Sequence, residues 1–72
     1  GLPAGITDAG TAGWMARAGV ESALYNVRVN LVEIESSSWK EQIQQETAQI
    51  SAQADKLLKD CNDQIDKILK AE

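Results

Sequence analysis

The feature that most constrains this chain is an uninterrupted stretch at its C-terminal end. Residues 39–72 contain no glycine and no proline, the two residues that most readily interrupt a helix. Apolar or small residues recur there at alternating steps of four and three, beginning with Trp39, Ile43, Thr47, Ile50 and Ala54. This spacing places one narrow stripe along a helix, the pattern of a coiled-coil seam. We therefore predict a coiled-coil helix over residues 39–72.

The stripe shifts its phase further along this segment. It divides between Leu57 and Leu58 and resumes at Cys61, Ile65 and Ile68. Taking Leu58 gives two successive steps of four, which locally unwind a left-handed supercoil. Cys61 is the only cysteine, so an internal disulfide is impossible, and we interpret it as a seam residue.

A second periodic segment, residues 14–35, carries two adjacent apolar seams. The first seam consists of Val20, Leu24, Val27, Leu31 and Ile34, and the second begins with Tyr25, Val29 and Val32 and continues to Trp39. A helix with two faces can contact a neighbour on each side. We predict that both seams and the C-terminal stripe form an oligomer interface. The β-branched residues within 27–34 leave a strand as the alternative, although the helical pattern is longer.

Three serines at 36–38 are the one candidate interruption between these segments. Ser38 and Glu41 have the spacing of a capping box, which would restart a helix at Trp39. The second seam nevertheless passes through Ser36 in phase. We therefore favour one continuous or gently bent helix, with a helical hairpin as the alternative.

The first 13 residues differ in character from the rest. They contain four of the five glycines and the only proline, so ordering them costs much conformational entropy. We predict a flexible Gly/Ala-rich arm over residues 1–13, with Thr11 capping a helix that begins near Trp14. The predicted fold class is all-α: one long amphipathic helix, kinked or continuous at the serines, in a coiled coil or multi-helix tube.

Composition argues against several kinds of chemistry. The chain has no histidine, so no Ser, Cys or Lys has the usual general base beside it. Asp60, Asp63 and Asp66 drift around the helix and alternate with lysines, which favours a solvated face over a metal site. We expect a chain that is not an enzyme and binds no cofactor or metal. Its apolar runs are too short for a membrane span, and we expect it to be soluble.

A set of amides surrounds the C-terminal stripe and forms a candidate polar or lumen face: Gln42, Gln45, Gln49, Gln53 and Gln64. The net charge of −4 disfavours ordinary phosphate-neutralising contacts with nucleic acid. Uncharged amides could still form weak hydrogen bonds with a polyanion without binding it tightly. The simpler interpretation is an ordinary polar helix surface.

The glycine-rich GLPAGITDAGTAG followed by NLVEIESSSWKEQIQQETAQISAQADKLL resembles the DNA pilot proteins of microviruses. That resemblance implies a tube of helices that delivers the genome, located in the virion, with capsid protein and single-stranded DNA as partners and the glutamines lining the lumen. A coiled-coil oligomerisation or partner-binding module, such as a stalk or a secretion-apparatus subunit, is the alternative function. Because the chain begins with Gly1 and not Met, we expect it to belong to a longer polypeptide.

Overall fold

The computed structural model describes residues 1–72 as two antiparallel α-helices. Helix α1 is Ile6–Leu31 and helix α2 is Ser38–Ala71. The molecule measures 56 × 15 × 11 Å, so it is one helix thick and two helices wide. The prediction of an all-α chain is confirmed. The strand alternative for residues 27–34 is wrong, because α1 extends through Leu31 and is followed by a turn.

The chain reverses direction over residues 32–37, so the favoured continuous helix is not the arrangement observed. The end of α1 tightens as the Ile34 N–H donates to the Leu31 carbonyl at 3.1 Å. Ser37 then adopts an extended backbone, and its hydroxyl accepts a hydrogen bond from the Lys40 N–H at 3.1 Å. The serines do start a new helix, but the cap is Ser37, one residue earlier than the predicted Ser38. Capping by serine favours this break, since it satisfies an N–H that has no partner within the helix.

The predicted N-terminal arm is largely helical. Helix α1 begins after Gly5, whose φ of 80° is in the left-handed region that glycine adopts readily, so Thr11 lies inside the helix and is not its cap. Gly13 faces α2, and a Cβ placed on it would lie 3.5 Å from Leu58 Cδ1. Each glycine within a helix makes helix formation less favourable by about 1 kcal/mol relative to alanine. Contacts with α2 therefore stabilise the helical conformation of this segment. Sequence reasoning omitted this long-range contribution.

The core is a single seam between the two helices. Only Leu24, Leu31 and Thr47 are buried. On α1, the residues that face α2 alternate by four and three along the whole helix: Ile6, Gly10, Gly13, Arg17, Val20, Leu24, Val27 and Leu31. A heptad spacing of this kind keeps one face of a helix towards its partner when the two helices wind gently around each other.

The facing seam of α2 differs from the predicted stripe at two positions, Trp39, which is exposed, and Ile50. Ser51 is half-buried in the seam, whereas Ile50 is 46% exposed. The two successive steps of four therefore run from Ile43 through Thr47 to Ser51, earlier than the predicted shift at Leu58. The reason is electrostatic: the α1 residues opposite Ser51 are charged, as described below.

Candidate functional site

A cluster of charged and polar side chains joins the helices near their middle. Arg17 of α1 is its centre, and each of its three nitrogens donates a hydrogen bond. Nε donates to Asp55 Oδ1 at 2.6 Å and Nη2 donates to Ser51 Oγ at 3.0 Å, both on α2. Nη1 donates to Glu21 Oε2 at 3.0 Å, one turn further along α1. We call the residues Arg17, Glu21, Arg28, Ser51 and Asp55 the polar cluster.

Glu21 receives three donors within the polar cluster. Besides Arg17, Arg28 Nη1 donates to its Oε1 at 3.1 Å and the Ser51 hydroxyl donates to its Oε2 at 3.0 Å. These hydrogen bonds, with that of Arg17 the largest, hold the pKa of Glu21 below its ordinary value. The hydrogen bonds to Asp55 and Glu21 raise the pKa of Arg17 in the same way. A carboxylate held ionised by three donors is a poor proton acceptor at neutral pH, so the cluster suits positioning better than acid–base chemistry.

An uncharged face lies beside the polar cluster on α1, and we call it the α1 outer face. At about 100° per residue, its members fall within about 60° of arc: Trp14, Ala18, Tyr25 and Val29, with Val32, the C-cap residue directly after the helix, in line with them. The four large side chains are exposed by 61%, 59%, 68% and 73%, in that order along the chain. The Arg28 guanidinium lies 5.4 Å from the centre of the Tyr25 ring, which links this face to the polar cluster through a cation–π contact.

The other side of the helix pair carries a shallow apolar groove of about 220 Å³. Small residues of α1 leave this space open beside the larger side chains of α2. Its lining residues are Gly13, Ala16, Arg17, Val20, Ala54, Leu57, Leu58 and Cys61. The Cys61 thiol is free and half-buried there.

The structure divides the predicted oligomer interface into residues that pack within the chain and residues that remain exposed. Val20, Leu24, Val27 and Leu31 of the first seam face α2, and Ile43, Ala54, Leu58, Cys61, Ile65 and Ile68 of the stripe face α1. Those that remain exposed are Tyr25, Val29, Val32, Ile34, Trp39, Ile50 and Leu57. Contact of the exposed group with further copies stays a prediction.

The candidate amide face is exposed on α2. None of Gln42, Gln45, Gln49, Gln53 and Gln64 is buried. Gln42 donates to Glu46 at 3.2 Å on the same helix. The structure gives these amides no common cavity, and their surroundings are those of an ordinary polar helix surface.

The polar cluster was missed from the sequence. Arg17 and Glu21 are four residues apart, as helical ion pairs often are, so part of the signal was present. Asp55 and Ser51 lie more than 30 residues away in sequence, and only the reversal of the chain brings them to Arg17.

Comparison with known proteins identifies the family. A family model described as Formiminotransferase-cyclodeaminase matches residues 1–49, which span α1, the connecting segment and the first turns of α2. The chain belongs to the formiminotransferase-cyclodeaminase family. No curated protein and no solved structure matches the chain.

Membership of the formiminotransferase-cyclodeaminase family overturns the resemblance to microvirus pilot proteins. The predicted virion location, the DNA-delivery function and its stalk or secretion alternative are wrong with it, and capsid protein and single-stranded DNA are unsupported as partners. The resemblance rested on a glycine-rich segment and a Gln-, Ala- and Lys-rich helix, and any polar helix surface can share that composition. Neither helix is both long and apolar enough to cross a membrane.

Proposed function

We propose that this chain is an assembly element of a formiminotransferase-cyclodeaminase, an enzyme of folate metabolism. In this proposal the hairpin stabilises the enzyme by helix packing and homo-oligomerisation, and it supplies none of the reacting groups. The single observation that carries the proposal is the α1 outer face, which is uncharged, exposed and entirely within the matched residues 1–49.

The two helices differ sharply in their outward surfaces. Helix α1 has four charged residues, Asp8, Arg17, Glu21 and Arg28, and both arginines donate hydrogen bonds to Glu21. Beyond residue 54, the outward side of α2 is dense in exposed charge: Asp55, Lys56, Lys59, Asp60, Asp63, Asp66, Lys67 and Lys70. A helix that is apolar on most sides is normally enclosed by other helices, whereas a charged surface faces water. This contrast favours a hairpin with α1 covered and the far half of α2 solvated.

The family match covers the uncharged surface of α1 and stops before the charged half of α2. Residues 1–49 include the whole α1 outer face and exclude the strongly charged part of α2. The family pattern thus coincides with the surface that we expect to be covered. This coincidence supports a role in the packing of the family's domain.

The chemistry of the polar cluster supports a positioning role. Its two guanidinium groups balance its two carboxylates, so the cluster is neutral as a whole. The depressed pKa of Glu21 keeps that carboxylate ionised at neutral pH. All three nitrogens of Arg17, at the centre, donate hydrogen bonds, and their acceptors lie on both helices. Such a network fixes the register of α1 against α2 and holds the outer face in place.

Sedimentation equilibrium of the purified chain tests the assembly role. We expect self-association at micromolar concentrations, and we expect Tyr25→Ser with Val29→Ser to abolish it without loss of helical circular dichroism, because both side chains are more than half exposed. The matched control is Leu57→Ser, an equally exposed residue on the groove side of the pair. A wild-type chain that stays monomeric throughout would contradict the assembly role.

An assay of the purified chain for ammonia release from a formimino compound tests the absence of a reacting group. We expect no release above the buffer blank. Release that depends on Glu21 or Cys61 would contradict the proposal, since it would place catalytic chemistry within the hairpin.

A further inference from the structure

A second opening between the helices lies near the end of the hairpin that is opposite the connecting segment. It has a volume of about 470 Å³. We call it the Trp14 cleft, and the side chains around it are Thr7, Thr11, Trp14, Asn62 and Asp66. We infer that the Trp14 cleft binds a guanidinium group. This inference goes beyond the proposed assembly function, because it assigns a ligand of stated chemistry to a part of the hairpin outside the polar cluster.

The floor of the Trp14 cleft is apolar. It is formed by Gly10 of α1 and Ile65 of α2, which are both half-buried. A Cβ placed on Gly10 would lie 3.5 Å from Ile65 Cδ1, so the glycine leaves room above the isoleucine side chain. An apolar floor with a few polar groups around it is the usual construction of a site for a small ligand.

The polar groups of the Trp14 cleft can all accept hydrogen bonds. The Asp66 carboxylate accepts only, and the Asn62 amide oxygen and the hydroxyls of Thr7 and Thr11 accept as well. None of these four side chains makes a hydrogen bond or an ion pair within the chain. The lining has one negative charge and no positive charge. This set of acceptors is complementary to a cation that carries several donors.

The cations near the Trp14 cleft leave the Asp66 carboxylate available to a ligand. Arg17 donates all of its hydrogen bonds within the polar cluster. Lys59 binds Asp63 at 2.6 Å on the outward side of α2. Lys70 lies one turn beyond Asp66 and forms no ion pair with it. A cationic ligand would therefore give Asp66 a partner that the hairpin itself does not supply.

The aromatic wall of the cleft selects a planar cation. Trp14 is 61% exposed and is the one aromatic residue in the lining. A guanidinium group is flat and stacks on aromatic rings, and its edge can donate two parallel hydrogen bonds to one carboxylate. An ammonium group is a compact and strongly hydrated charge, which cannot do both. The combination of Trp14 and Asp66 therefore favours guanidinium over ammonium.

Fluorescence of Trp14 tests the binding of the guanidinium group. Trp39→Phe leaves Trp14 as the only tryptophan, and ethylguanidinium is the probe. Submicromolar chain concentrations keep self-association from competing with the probe. We expect a saturable change in Trp14 emission with a dissociation constant of about 1 mM, since one exposed ion pair and one cation–π contact are each weak. Ethylurea, which has nearly the same shape without the charge, and ethylammonium should bind at least about threefold more weakly.

Asp66→Asn tests the role of the carboxylate. This variant should bind ethylguanidinium at least about threefold more weakly, because the ion pair is lost. The matched control is Asp60→Asn, which changes the net charge equally but points about 120° away around α2 and does not line the cleft. Asp60→Asn should bind as the parent chain does. Circular dichroism checks that both variants retain their helices.

A short peptide distinguishes two sources of the guanidinium group. Acetyl-Gly-Arg-Gly-amide carries this group on an arginine side chain. Binding as tight as that of ethylguanidinium supports an arginine of another protein segment as the ligand, and weaker binding supports a small guanidinium compound.

Three results would overturn the inference: a response to ethylguanidinium that does not saturate, an equal response to ethylurea, or equal weakening by Asp66→Asn and Asp60→Asn. Sedimentation of the chain without any probe measures the assembly role separately. Failure of guanidinium binding therefore leaves the proposed function standing, and a monomeric chain leaves this inference standing.

Discussion

Glu21 should make the stability of the hairpin depend on acid pH. Its pKa is lowered in the folded chain, chiefly by the hydrogen bond from Arg17, relative to an ordinary value of 4.5. A group with a lowered folded pKa contributes stability that is complete above its unfolded pKa and is lost as the pH falls through the folded pKa. We therefore expect the free energy of unfolding to decrease as the pH drops below about 4.5, as measured by urea unfolding between pH 7 and pH 3.

Glu21→Gln isolates this contribution. The variant should be less stable than the wild type at pH 7 and should lose part of the decrease below pH 4.5, because the amide does not titrate. Glu33→Gln is the matched control, since Glu33 is exposed in the connecting segment and makes no side-chain hydrogen bond or ion pair. An identical pH profile for Glu21→Gln and the wild type would mean that the polar cluster does not stabilise the fold.

Two glycines, Gly5 directly before α1 and Gly13 within it, should respond in opposite directions to the same substitution. Gly13 lies within the helix, and a Cβ there would make ordinary contacts, 3.5 Å from Leu58 Cδ1 and 3.8 Å from Cys61 Sγ. Gly13→Ala should therefore raise the free energy of unfolding by about 0.5–1 kcal/mol through helix propensity. Gly5→Ala should lower it by about 1–2 kcal/mol, because its φ of 80° is unfavourable for a residue with a Cβ.

Thermal unfolding followed by circular dichroism measures both changes. If Gly13→Ala were instead destabilising, the space beside Leu58 would be smaller than the structure shows. If Gly5→Ala were neutral, α1 would begin in another way, for example at a residue further along the chain.

The hairpin as a whole should unfold in one step when its core is weakened. Leu31 is only 5% exposed, and Leu31→Ala should lower the free energy of unfolding by about 2–5 kcal/mol. A chain of this size rarely has more than about 3–5 kcal/mol in total, so this one change should remove most of its stability. Because each helix buries its seam only against the other, α1 and α2 should lose helicity together.

Leu57→Ala is the control for the change in the core. The substitution is chemically the same, but Leu57 is 69% exposed. The free energy of unfolding of this variant should therefore differ from that of the wild type by no more than about 0.5 kcal/mol. Urea unfolding monitored by circular dichroism at 222 nm and by Trp fluorescence reports on both helices. Equal effects of the two substitutions would place the core elsewhere.

The composition of the chain carried little information about its family. The amides and the alternating charges are common on any solvated helix, and together with the glycine-rich segment they led to a viral resemblance that the family match overturns. Apolar periodicity was more informative, because it reports the physical need to bury one face. The exposed second seam of Tyr25, Val29 and Val32 is the part of that pattern still without a partner inside the chain.

The sequence by itself determined that this chain is helical and which faces are apolar, because both follow from a repeat of 3.6 residues that is local in the chain. It also indicated the serines as the one candidate interruption, although a continuous helix was favoured there. Only the tertiary structure decided that the chain reverses there, that residues 6–13 are helical, and that Arg17 and Ser51 belong to the seam. Each of these features depends on contacts between α1 and α2. Local sequence patterns do not predict the energy of contacts between residues that are far apart in the chain.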